Sequence, residues 1–338
     1  MSGLYSFHPF ADQALSDFVR KLVQVPSMTE SGDVGEMRRG GEARAAQRPP
    51  GPPMPTIDVS LAGGRFGARL YRPSADTRQF VVYLHGGGWT IGGLSTFDRA
   101  CRRMAAVAGS CLLSVDYRLA PEHPAPAAID DAIAALEWVA SGPPEIGARP
   151  HAIAVAGDSA GGTLAALATL QLRGSAAAPD LLLMAYANTH LGATGGSLES
   201  NAHGFGLDAA DVAWFNRQWV PDLSRHSDPA FCPLMVDDLR GAPETVIVTC
   251  ELDPLRDQGE AFGARLVAAG VPVRMRRELG MVHNFLLWDL VAPSCAKAAD
   301  RVAGDLVNGF ARVAESGGWS EQAPQDAKSA PLRGWDHR

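Results

Sequence analysis

The residues best placed to do chemistry stand in Gly157-Asp158-Ser159-Ala160-Gly161, between the apolar run His151 to Ala156 and the helix-like run Gly162 to Ala168. A serine flanked by glycines two positions away, between a buried strand and a helix, is the pattern of a nucleophile elbow. Such a turn strains the serine backbone and tolerates only small neighbours, here Gly157, Ala160 and Gly161. It lifts the hydroxyl above the sheet and leaves the next N–H free at the helix N-terminus. The pentapeptide alone is a common pattern in a chain with 36 glycines; its strand–turn–helix setting gives it weight.

A serine hydroxyl is a poor nucleophile until a base takes its proton, and the base needs an acid to orient it. Among nine histidines, His283 follows the last strand candidate, in Gly280-Met281-Val282-His283-Asn284-Phe285. Asp253 follows the preceding strand candidate, in Glu251-Leu252-Asp253-Pro254-Leu255. The chain order Ser159, Asp253, His283 is the one an α/β-hydrolase uses. Taken singly, His283 would read as a satisfied loop residue and Asp253 as a helix cap beside Pro254. Three such residues at the ends of strands, in this order, outweigh that reading. Of the competing acids, Glu251 falls within its strand, Asp257 suits a first-turn helix dipole, and Asp158 should point away from the histidine.

Acyl transfer also needs donors for a developing oxyanion. His85-Gly86-Gly87-Gly88-Trp89 follows the strand candidate Phe80–Leu84, and consecutive glycines expose backbone N–H groups without obstruction. With the Ala160 N–H as a further donor, each bond would be worth about 3 kcal/mol in the transition state. A phosphate loop would need Gly-Lys-Ser/Thr, which is missing, and no dinucleotide fingerprint is present. His85 is expected to hold the loop by hydrogen bonds and not to act as the base.

The elements that must position these groups alternate from about Thr56. Strands are expected at Ile57–Leu61, Gly67–Tyr71, Phe80–Leu84, Cys111–Tyr117, Ala152–Ala156, Leu181–Tyr186, Thr245–Glu251 and Val271–Glu278. Helices are expected at Thr96–Val107, Ala127–Ala140, Gly162–Leu172, Gln258–Ala269 and Ser294–Val313. That alternation predicts an α/β fold with a mostly parallel sheet covered on both faces and an antiparallel edge from the first two strands. Leu15, Phe18, Val19 and Leu22 have helical spacing, and a Gly-, Arg- and Pro-rich stretch follows. The division expected is 1–55 as an N-terminal cap helix and connector, 56–313 as the catalytic domain with a cap insertion at about 188–239, and 314–338 as a disordered tail. The aromatics of the insertion, Phe205, Trp214, Phe215 and Trp219, are expected to form cap core and not to touch substrate.

Composition narrows the classes. The 338 residues are 46% apolar and 20% charged, with net charge −7. That suffices for one large α/β domain or two ordinary ones and speaks against nucleic-acid binding. Arg38, Arg39, Arg44 and Arg48 are interleaved with Gly, Ala and Pro and read as solvated surface or linker. Five scattered cysteines, with no metal-ligand spacing, suit a reducing compartment. Residues Met1 to Phe10 lack the regions of a signal peptide, and no apolar stretch reaches the roughly 20 residues of a membrane span. A cytoplasmic protein is expected.

Together these motifs resemble the hormone-sensitive-lipase-like family of α/β-hydrolase esterases. The resemblance rests on His85-Gly86-Gly87-Gly88-Trp89, Asp116-Tyr117-Arg118-Leu119-Ala120-Pro121-Glu122-His123, Gly157-Asp158-Ser159-Ala160-Gly161-Gly162, Asp253-Pro254-Leu255-Arg256-Asp257 and the His283 loop. It implies Ser159 as nucleophile, His283 as base and Asp253 as its orienter, with Gly87, Gly88 and Ala160 donating to the oxyanion and Gly86 the weaker candidate. It also implies hydrolysis of small-molecule carboxylic esters, often of short acyl chains, with no metal or cofactor. Three departures bear on the substrate: Asn284 where the family usually has Gly, Tyr186-Ala187-Asn188 where it commonly has Tyr-Pro, and a Gly-rich stretch from Thr189 to Ser200 that suggests a mobile lid. The alternatives are a tailoring deacetylase or acyltransferase acting on a secondary metabolite, and a non-catalytic ligand receptor, which the presence of His283 disfavours. A homodimer through Val271–Glu278 is expected from Arg274 and Arg276 on an exposed edge.

Overall fold

Short runs of Val, Leu, Ile and Ala with no polar alternation can satisfy their backbones only inside a sheet covered on both sides. The computed structural model describes residues 9–315 except positions 26, 28, 75 and 148. Within them lie β1 (Thr56–Leu61), β2 (Phe66–Tyr71), β3 (Gln79–Leu84), β4 (Cys111–Asp116), β5 (Ala152–Asp158), β6 (Leu181–Ala185), β7 (Glu244–Leu252) and β8 (Val273–Val282). They form one sheet in the order β1-β2-β4-β3-β5-β6-β7-β8. β1–β2 and β2–β4 are antiparallel, and the remaining pairs are parallel. This is the expected α/β-hydrolase architecture.

The helices are α1 (Gln13–Leu22), α2 (Val34–Ala46), α3 (Leu94–Ala108), α4 (Ala127–Ser141), α5 (Ala160–Gln171), α6 (Ser197–Ser200), α7 (Ala209–Trp219), α8 (Arg256–Ala268) and α9 (Pro293–Glu315). Side chains alternate across the sheet, so each strand feeds two cores. Phe80, Val82 and Leu84 of β3 join Ala132, Leu164 and Phe262 from α4, α5 and α8. Val81 and Tyr83 join Val19, Met104 and Leu306 from α1, α3 and α9. α5 is buried along nearly its whole length, which its Ala- and Gly-rich sequence permits by letting strands approach closely.

The N-terminal region departs from expectation. The stretch expected to be only a connector contains α2, capped by Asp33, whose side chain accepts from Glu36 N. Arg38, expected to be solvated, instead donates to the Thr90 carbonyl (2.9 Å) and the Ala120 carbonyl (2.9 Å), and pairs with Glu122. The Asp-x-x-Glu spacing of Asp33 and Glu36 was the available signal for a helix start. Gly35, Gly40, Gly41 and a single buried residue, Met37, concealed it. Asp12 caps α1 through Leu15 N and also accepts from Ser294 N in the first turn of α9. The tail expected to be disordered lies, beyond Glu315, outside the described residues.

Candidate active site

All the residues singled out for chemistry sit beyond the C-terminal ends of parallel strands, the edge where open α/β sheets present their sites. Ser159 follows β5 with φ +51° and ψ −123°, a strained conformation for a residue with a side chain. The turn closes because Gly161 has no Cβ: one placed there would run into the Leu84 carbonyl.

Asp253 follows β7 and His283 follows β8. His283 must reach back across two strands to Ser159, and an irregularity in β8 sets its approach. The step from Cys250 to Leu252 on β7 is matched by Glu278 to Val282 on β8, so β8 carries extra residues there. Gly280, at φ +65°, lies in that bulge; its N–H is held by Glu251 Oε2 at 2.7 Å, and its carbonyl accepts from Ala11 N. Glu251, weighed above as a competing acid, is thus occupied in fixing β8.

The three residues form one buried hydrogen-bonded chain. His283 Nδ1 lies 2.8 Å from Asp253 Oδ2, and His283 Nε2 lies 2.9 Å from Ser159 Oγ. A carboxylate can only accept, so the ring hydrogen belongs on Nδ1, which leaves the Nε2 lone pair for the serine hydroxyl. Asp253 is fully buried and its other oxygen accepts from Leu255 N at 2.8 Å. Asn201 supports the loop from behind, donating to the Glu251 and Asp253 carbonyls. The tilted edge of Tyr186 meets His283 with ring centres 4.7 Å apart.

The glycine loop after β3 is anchored on several sides. Gly86 N donates to Asp158 Oδ1 at 2.9 Å, so Gly86 is committed and only the following N–H groups remain. Gly87, Gly88 and Ala160 line the same pocket as Ser159. His85 is fully buried, stacks on Tyr117 at 4.2 Å and directs Nδ1 at the Gly86 carbonyl (2.7 Å). Burial pushes its imidazole down to about 4, against the pull of that carbonyl, which keeps it neutral. This is the structural part expected of it. Asp158 is not bonded to His283; its Oδ1 also accepts from Tyr83 Oη at 2.7 Å.

The pocket in front of Ser159 has a volume of about 80 Å³. One wall comes from the segment between β6 and β7, through Leu207, Val212, Phe215 and their neighbours. Here one expectation fails in part. Trp219 is buried and stacked on Trp89 at 4.0 Å, but Phe215 lines the pocket and covers Gly88 so closely that a Cβ on that glycine would strike the ring. Val212, Phe215, Asn216 and Trp219 share one stripe of α7; the first three line the pocket, and Trp219, at the end of the helix, packs on Trp89. The expected mobile lid is also anchored: Thr189 N bonds Gln258 Oε1 at 2.7 Å, and Ser197 Oγ bonds the Pro254 carbonyl at 2.9 Å. Asn284 adopts the left-handed region at φ +66°, which asparagine tolerates better than most residues and which explains why a glycine would serve there. Among the described residues no three His, Cys, Asp or Glu side chains are grouped to hold a metal ion.

The sheet order, the elbow and the strand-end acid and histidine define an α/β hydrolase. Residues 81–287 match the family model described as the alpha/beta hydrolase fold. The chain is 39% identical to Esterase LipI of Mycobacterium tuberculosis, covering 75% of this chain and 82% of that protein. It is 43% identical to Carboxylesterase NlhH of the same species, covering 69% and 75% respectively. Among solved structures, EstE1, a thermostable carboxylesterase cloned from a metagenomic library, superposes with TM-score 0.76 at 36% identity, covering 82% of this chain and 97% of that one. The chain belongs to the hormone-sensitive-lipase-like family of α/β-hydrolase esterases.

Proposed function

We propose that this chain is a serine carboxylic ester hydrolase working through an acyl-enzyme, with Ser159 as nucleophile, His283 as base and Asp253 as orienter. The observation that carries the reading is the unbroken Ser159–His283–Asp253 hydrogen-bonded chain at a pocket lined by Gly87, Gly88 and Ala160. His283 Nε2 takes the Ser159 proton as Oγ attacks the ester carbonyl carbon. The N–H groups of Gly87, Gly88 and Ala160 hold the negative oxygen of the tetrahedral intermediate. The alcohol departs with the proton from His283, and water then repeats the sequence to release the acid. Asp253 holds the imidazole in the required tautomer through its bond to Nδ1.

A cavity of about 80 Å³ supports small acyl groups, since roughly 10–15 Å³ on this measure holds one water. We read α1, α2 and the 188–239 segment as a cap: Ser27 and Thr29, between α1 and α2, both hydrogen-bond the Asp211 carboxylate of α7. Five buried, unpaired cysteines favour a reducing, cytoplasmic location, and no helix among the described residues is long and apolar enough to cross a membrane. The edge position of β8, with Met275 and Leu279 exposed, favours a dimer along that strand.

The test is hydrolysis of p-nitrophenyl esters from acetyl to dodecanoyl by the parent and by Ser159→Ala. Turnover should peak at short chains and fall in the variant by a factor on the order of 10⁴ or more, with the fold retained. Substantial activity in the variant would remove Ser159 from the mechanism.

A further inference from the structure

The pocket contains a buried polar atom that the ester-cleaving steps do not use. Asn188, just beyond β6, is 4% exposed and lines the pocket with Ser159. The orientation of its amide follows from its neighbours. The Leu191 carbonyl can only accept, so it takes a hydrogen from Asn216 Nδ2, at 2.9 Å. That turns Asn216 Oδ1 toward Asn188, which must answer with its own Nδ2, again at 2.9 Å. Asn188 Oδ1 is left as a carbonyl acceptor, and among the described residues nothing donates to it.

A buried acceptor without a donor is unfavourable, and one that persists beside a binding site calls for a reason. The one carboxylate on the pocket wall is also an acceptor. Asp211 is 8% exposed, takes bonds from Ser27, Thr29 and Asp208 N, and forms no salt bridge with any described cation. Asn216, which adjoins both, has its oxygen and one amide hydrogen committed within the protein. Asn188 Oδ1 and the Asp211 carboxylate are thus the acceptors on this wall, beside the remaining amide hydrogen of Asn216 and the amide of Asn284.

We propose that Asn188 Oδ1 is a substrate-recognition group, and that the preferred ester carries a hydroxyl donor close to its scissile bond. The proposal rests on the ester-hydrolase reading of Ser159 and names the substrate class for that site. An ester lacking the hydroxyl leaves Asn188 Oδ1 unpaired in the transition state, which is how a polar pocket rejects an apolar analogue. The hydroxyl can sit on either side of the ester, so both sides are compared.

The experiment uses the full chain and two matched pairs: ethyl 3-hydroxybutyrate against ethyl butyrate for the acyl side, and 2-hydroxyethyl butyrate against propyl butyrate for the alcohol side. Acid release is followed by titration at constant pH, and each kcat/KM is divided by the ester's rate of alkaline hydrolysis. In one pair the hydroxylated ester should be preferred about tenfold or more, the worth of a neutral hydrogen bond plus the avoided unpaired acceptor. In Asn188→Leu, and in Asn188→Ala should the first fold poorly, that ratio should collapse toward one. A ratio is independent of how much of each variant is folded. No preference by the parent in either pair would overturn the proposal while leaving ester hydrolysis standing, and so would a preference that survives both substitutions. Failure of the parent to cleave any of the four esters would sink the ester-hydrolase reading and this inference with it.

Discussion

Asp158 should make the folded chain less stable at neutral pH than an uncharged residue of the same shape. Its side chain has no exposed surface, and burial pushes its carboxyl up to about 6. The hydroxyl of Tyr83, the Gly86 N–H and the hydroxyl of Tyr186 pull the other way without cancelling that effect. Between 3.8, the ordinary value, and about 6 the difference is worth ~3 kcal/mol. The folded state binds this proton more tightly than the unfolded state does. Stability from the group is therefore complete below about pH 3.8, is lost as pH rises, and is gone above about pH 6.

Asp158→Asn removes the ionisation while keeping the shape. The amide oxygen can still accept from Tyr83 Oη and Gly86 N, and the amide nitrogen then faces the Tyr186 hydroxyl, which can accept. Urea unfolding of parent and variant at pH 4.5, 6 and 8 should show the variant's advantage growing by ~2 kcal/mol from the lowest pH to pH 8, where it reaches ~3 kcal/mol. Activity should move the other way, because the negative charge that the substitution removes favours the imidazolium that His283, as the proposed base, would become during reaction; kcat should drop with little change in KM. A stability difference that stays flat with pH, or a variant less stable than the parent at pH 8, would refute the reasoning.

Two other substitutions test the loop proposed to carry the oxyanion donors. Gly88→Ala should lower kcat by about a hundredfold or more, because its Cβ meets the Phe215 ring and φ is +56°; stopped-assay kinetics beside a thermal melt separate this from unfolding. Arg38→Ala should lower stability by ~1–3 kcal/mol and open the 47–55 linker to limited proteolysis. Most of that loss should come from the bonds to the Thr90 and Ala120 carbonyls and little from Glu122, which is half exposed and worth little.

Much of this arrangement could be read from residue order because its signals are local. Each inner strand is an apolar run bounded by turn residues, and the elbow, glycine loop and strand-end acid and histidine are short motifs. What escaped the sequence depends on distant partners. α2 is weakly patterned because it contributes one buried side chain, Met37, and is fastened largely by Arg38 to carbonyls more than fifty residues away. The β8 bulge needs Glu251 and Ala11 to hold Gly280, and neither is its neighbour in the chain. The Gly-rich stretch after Thr189 reads as mobile by composition, yet Gln258, Cys232 and Pro254 hold it. Asn188 shows in the sequence only within the Tyr186-Ala187-Asn188 departure; its free oxygen is fixed by the amide chain through Asn216 to Leu191.

These distant contacts converge on the loop from His85 to Thr90. Asp158 holds it from the elbow through Gly86, and Tyr117 Oη holds it from β4 through the His85 carbonyl. Trp89 is stacked on Trp219 of α7, and the Thr90 carbonyl is tied to Arg38 of α2. The N–H groups of Gly87 and Gly88 are therefore aimed by both segments read as the cap as well as by the sheet. An oxyanion site depends on donors fixed before the charge develops, so small displacements matter more for rate than for binding. The N-terminal helices, none of whose described residues lines the pocket, thus reach the site through this loop. Loosening α2 should act on kcat through Thr90 before it acts on KM through the pocket walls, and a purely covering role for α2 would show the opposite order.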